Sequence, residues 1–127
     1  MSIKKIITGL MLSMLLSSGA ANADWGDVYY CQMTTFLGIT LEGEKKNYKL
    51  EKFQFKLDQT KNAMVFGSKG YFKDMVYEQV IDLSFPSQEL WFAQGLISST
   101  YFEKGKFLFT DNSGSHATIV SANCDKF

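Results

Sequence analysis

The chain has 127 residues, including eleven Phe, six Tyr and two Trp, with 13 basic and 13 acidic residues and no formal net charge. That length fits a single domain, and the charge balance gives none of the basic excess of a nucleic-acid binder. Every basic residue is a lysine, so arginine, the side chain best suited to bidentate capture of phosphate or carboxylate, is missing.

The chain opens on Lys4 and Lys5, then an apolar run from Ile6 to Leu16, then the small-residue site Ala21-Asn22-Ala23. This order predicts a cleaved secretory signal peptide over residues 1–23. The apolar run falls well short of the roughly 20 residues a membrane-crossing helix needs. The expected mature domain is residues 24–127, without a membrane anchor, exported to the periplasm or the extracellular space. Losing both leader lysines gives it a net charge of −2.

From Asp24 onward, alternating apolar and polar residues are interrupted by turn residues at short intervals, the pattern of antiparallel strands. Val28 to Phe36 is predicted as a first strand and Leu37 to Asn47 as a polar loop. Phe53 to Leu57 alternates cleanly. A turn over Asp58–Asn62 and a return strand over Ala63–Phe66 complete a hairpin. Met75, Tyr77, Ile81, Leu83 and Phe85 alternate better than they fit a helical stripe, so Met75–Phe85 is read as extended, ending at Pro86. Glu89–Ala93, Ile97–Phe102 and Phe107–Thr110 follow, the last two joined by a tight turn with Gly105 at positive φ. Asp111–Ser115 reads as a turn, and Ala117–Cys124 as the last strand. The expected fold is all-β, a single small antiparallel β-barrel or sandwich of about eight strands.

Two cysteines in an exported domain, Cys31 and Cys124, read as one disulfide between the first and last strands. The chain-entropy model gives so long a closed loop roughly 4–5 kcal/mol. Neither cysteine has a Cys-x-x-Cys frame or a basic neighbourhood that would make it a reactive thiol.

No catalytic constellation is apparent. His116, beside Asp111, Ser113 and Ser115, lacks the frame of a hydrolase triad, and it reads as a surface histidine at a turn. With the cysteines bonded, no zinc ligand set is available. The stretch from Asp111 to Ser115 lacks the alternating acids of a calcium loop. No cofactor is expected. The aromatic pairs Tyr29-Tyr30, Tyr71-Phe72, Trp91-Phe92 and Tyr101-Phe102 are the feature with functional content. Strand neighbours point to opposite faces, so a pair cannot bury both rings on one side. Tyr29, Tyr71, Trp91 and Tyr101 are therefore the candidate ligand-binding residues, with Phe inward and Tyr outward in each Tyr-Phe pair. Cross-strand aromatic packing that stiffens the sheet is the competing account of the same residues.

Cys31 in Tyr30-Cys31, Cys124 in Asn123-Cys124 and the strand plan resemble the periplasmic lysozyme-inhibitor family. The resemblance implies a small β-barrel with a disulfide from an early strand to the C-terminus. That family's Ser-Gly-x-x-Tyr motif is not present: Ser113-Gly114-Ser115-His116-Ala117 ends in alanine. The expectation is a non-enzymatic binding module for a protein, a glycan or a small apolar ligand. The alternatives are a structural or envelope-assembly protein and an inhibitor of an envelope enzyme.

Overall fold

A computed structural model describes residues 23–78, 80–82 and 90–127. The leader up to residue 22, and positions 83–89 with the end of the expected Met75–Phe85 segment, lie outside the described residues. The regular structure is all strand: β1 (Val28–Thr40), β2 (Lys45–Asn47), β3 (Lys52–Asp58), β4 (Ala63–Phe66), β5 (Val76–Glu78), β6 (Ile81–Asp82), β7 (Leu90–Gln94), β8 (Ser98–Glu103), β9 (Lys106–Asn112) and β10 (His116–Lys126).

All pairings are antiparallel, in the order β5-β4-β3-β1-β10-β9-β8-β7-β6, with β2 paired to β1 off this path. β5 pairs β4, while β6, which follows β5 in the chain, pairs β7. Together β5 and β6 act as one interrupted stave, which rolls the sheet into a nearly closed eight-stranded barrel. Closure resolves the choice between barrel and sandwich and leaves only very short edges.

The expected strands are present with small shifts at their ends, and one expectation is corrected. Leu37–Asn47 is not a polar loop. β1 continues to Thr40, and Lys45–Asn47 folds back to pair with Leu37, Gly38 and Ile39. A bulge hides this continuity in the sequence. Register against β10 slips between Met33 and Thr35, so the inward residues change from Tyr29, Cys31 and Met33 to Phe36 and Gly38. One extra residue shifts the phase of alternation without ending the strand. The β8–β9 turn is the expected two-residue hairpin, with Lys104 at φ 48° and Gly105 at φ 78° between the paired Glu103 and Lys106. Positive φ at both central residues matches the twist of the flanking strands.

Cys31 and Cys124 are bonded directly across the β1–β10 ladder, with Cα atoms 4.0 Å apart. The Cys124 amide points away from β1 and donates to the Gly105 carbonyl at 2.7 Å. That leaves the cysteines at a non-hydrogen-bonded pair, where side chains lie closest. Disulfides persist in oxidising compartments, which fits an exported protein.

The core is aromatic. Phe53, Phe55, Phe66, Phe102, Phe107 and Phe109 face inward from β3, β4, β8 and β9, as their alternation requires. Phe72, on the turn that leads toward β5, inserts among them. Its ring lies 4.8 Å from Phe53, 4.9 Å from Phe66, 4.9 Å from Phe109 and 5.6 Å from Phe107. The opposite end of the barrel is closed by the Asp24–Asp27 turn. There Gly26 donates to the Leu57 carbonyl and Asp27 pairs with Lys126 at 3.3 Å.

Candidate functional site

The structure separates the four candidate aromatics. Tyr29 is 5% exposed and stacks on Phe55 at 5.5 Å, while Trp91 is 1% exposed and meets Trp25 edge-on at 5.0 Å. Both belong to the core, so the surface role expected of them falls to other residues. Within the first pair the outward ring is Tyr30, 46% exposed, because Tyr29 shares the inward phase of Cys31. Tyr101 is 38% exposed, with Phe102 inward beneath it. Tyr71 is half-buried at one mouth of the barrel, against Phe36, Phe72 and Phe109. The Tyr101-Phe102 pair divides as expected, whereas Tyr71 turns into the mouth among inward-facing rings instead of outward, and no single patch holds all four candidates.

The outer face over β3, β1, β10, β9 and β8 carries a more regular arrangement. Strand register lines up Lys52, Gln32, Asn123, Lys106 and Glu103 as one row of polar residues. Four strand spacings give the row a length of roughly 19 Å. Lys106 Nζ donates to Asn123 Oδ1 at 2.8 Å, fixing its centre. On one side of the row lie Gln54, Tyr30 and Asp125, and on the other Ser121, Leu108 and Tyr101. Two grooves follow this layout. The first, about 640 Å³, is bordered by Tyr30, Gln32, Gln54, Asn123 and Asp125, with Ser68 and Lys69 of the loop after β4. The second, about 630 Å³, is bordered by Tyr101, Leu108, Lys106 and Ser121. Asn123 borders both.

The rings flanking the row are braced. Phe127 meets Tyr30 edge-on at 5.4 Å, and Phe92 meets Tyr101 at 6.5 Å and 80°. A braced ring loses little conformational freedom on binding, and tyrosine offers an apolar face together with a polar tip. The amides of Gln32, Gln54 and Asn123 both donate and accept hydrogen bonds. This face thus presents hydrogen-bond donors and acceptors along the row, with a ring at either side.

The mouth is a second polar zone. Tyr48 lies across Gly38, where an added Cβ would come within 3.2 Å of its ring. Beside it the Tyr71 hydroxyl faces Thr118, and the Tyr77 hydroxyl faces Ser98 and donates to Met75 Sδ at 3.5 Å. Asp111 turns inward here, and its buried Oδ1 has no hydrogen-bond partner among the described residues. Burial raises Tyr71 and Tyr77 above 10.0, with Asp111 adding to the effect and Thr118 and Ser98 opposing it.

Unfolded tyrosines ionise near pH 10, so the fold holds both protons more tightly than the unfolded chain does. The resulting stabilisation is complete below pH 10 and is lost as pH rises through the higher folded values. A Tyr71→Phe, Tyr77→Phe variant is expected to lose less stability above pH 10 than the parent, as measured by urea unfolding across pH. An equal loss would show that these two phenols are not responsible.

The remaining sequence candidates are placed simply. Ser113 Oγ lies 3.1 Å from His116 Nδ1 and also donates to the His116 carbonyl, an exposed turn contact. Asp111 faces the barrel interior, so it does not complete a triad with them. Among the described residues no group of three or more His, Cys, Asp and Glu side chains is placed to hold a metal ion.

The sequence reasoning missed Tyr30, Gln32 and Asn123. The available signal was Cys31: an inward disulfide cysteine sends both of its strand neighbours outward. Comparison with models of protein families, with curated proteins and with solved structures finds no match to this chain.

Proposed function

We propose that this protein is an exported, non-enzymatic binding module that recognises an extended polar ligand, a glycan, on the outer face of its barrel. The observation that carries the reading is the polar row from Lys52 to Glu103, flanked by the braced rings of Tyr30 and Tyr101. Sugars present apolar C–H faces and a dense set of hydroxyls, and both find complements on this surface. The groove volumes are within the range of ligand sites, about 300–1,000 Å³. Export is supported by the leader pattern over residues 1–23 and by the disulfide.

Heteronuclear NMR with soluble oligosaccharides tests the reading. Shifts are expected to concentrate on Tyr30, Gln32, Asn123, Leu108 and Tyr101. Tyr30→Ala should weaken binding about tenfold or more, while unfolding free energy changes by less than about 1 kcal/mol. Shifts confined to the barrel mouth would refute the outer-face assignment.

A second reading, docking to another protein in the envelope, is supported by Leu41 and Leu96, large apolar side chains left exposed on turns. Exposed apolar surface of this kind is a feature of protein contacts. A strict monomer that retains no envelope protein on co-purification would remove it.

A further inference from the structure

The charges along the outer face narrow the class of ligand. The two grooves are bordered by Lys52, Lys69, Lys104 and Lys106, against only Asp125 and Glu103. Residues 24–127 as a whole carry a net charge of −2, so this face has the opposite sign to the rest of the domain. None of the four lysines forms an ion pair with a carboxylate of the described residues. Lys106 instead holds the Asn123 amide. An unpaired lysine on a groove edge is available to an incoming anion, and complementary potential governs both encounter and choice of partner.

We infer that the row binds an acidic glycan, one carrying carboxylates at intervals along its length; this rests on the outer-face reading above. The interval follows from the register. The backbones at Lys52 and Lys106 stand three strand spacings apart on the row, roughly 14 Å, with the Lys106 ammonium reaching back onto Asn123 and the neutral amide of Gln32 between the two charges. Separated charges with neutral donors and acceptors between them suit a chain in which acidic groups are interspersed with hydroxyls. Binders of nucleic acid rely on clustered cations and on arginine, which this chain lacks. Lys104 and Lys69, each on a loop at a groove edge, extend the positive field at both ends of the row.

Isothermal calorimetry with three probes tests the inference: oligogalacturonate, its neutral methyl ester of equal length, and a single-stranded oligodeoxynucleotide. Oligogalacturonate is expected to bind at least tenfold more tightly than the ester at low salt. The advantage should fade as the Debye length shrinks from about 10 Å at 0.1 M to about 3 Å at 1 M. Lys52→Gln combined with Lys106→Gln should abolish most of that advantage without lowering Tm. Equal binding of acid and ester, still sensitive to Tyr30→Ala, would overturn the charge inference and leave the outer-face reading standing. Binding of neither oligosaccharide would overturn both. Oligonucleotide binding as tight as that of oligogalacturonate would overturn the assignment to a glycan.

Discussion

Replacing Cys31 and Cys124 together by alanine is expected to lower the unfolding free energy by about 4–5 kcal/mol, measured by urea unfolding against the oxidised parent. The size follows from the sequence separation of 93 residues between the bonded cysteines. Opening the bond frees nearly the whole domain from a closed loop in its unfolded state. Domain stabilities are typically about 5–15 kcal/mol, so the variant keeps its fold with little margin. The ladder from Tyr29 to Thr40 along β10 does not need the sulfur bridge to set its register. Native-like circular dichroism at low denaturant with a lowered midpoint is the expected combination. A change below about 1 kcal/mol would mean that the unfolded chain is already held compact by its aromatics.

Phe72→Ala is expected to cost about 3–5 kcal/mol, the range for removing a buried aromatic ring. Phe72 is fully buried, and it belongs to a turn. Its ring neighbours come from three different strands, β3, β4 and β9, and from Tyr71 on its own turn. Removing it leaves a cavity between rigid staves that cannot move together to fill it. A fall in thermal midpoint far larger than that of Tyr101→Ala would confirm the difference, since Tyr101 stands at the surface with its ring against Phe92. Matching losses would show that Phe72 is replaceable packing.

Most strands could be read from the sequence because alternation is a local property. Phe53, Phe55 and Leu57 announce β3 without reference to anything else in the chain. The continuation of β1 could not be read, because the bulge between Met33 and Thr35 reverses the phase in a stretch already rich in polar residues. The disulfide was legible from composition and compartment, and its position between adjacent staves follows from the register rather than the spacing. The candidate site was only partly legible. Tyr101 faces as expected, yet Tyr71 turns into the mouth and Tyr29 and Trp91 turn inward, Trp91 against Trp25, whose position depends on how the Asp24–Asp27 turn closes the barrel. The polar row was out of reach for a physical reason. Its members, Lys52, Gln32, Asn123, Lys106 and Glu103, become neighbours only when five strands are paired in register.

The pairing of β1 with β10 also sets the timetable by which the molecule forms. During synthesis β1 emerges first and finds β2 and β3 close behind it, but its other ladder partner is the last strand of the domain. Until residues 116–126 have left the ribosome, one side of β1 stays open and Cys31 has no thiol to join. Pairings so distant along the chain form slowly. The barrel can therefore close only after its last strand has been made. The same late strand that completes the barrel brings Asn123 to the centre of the polar row, so an unfinished chain has no assembled row.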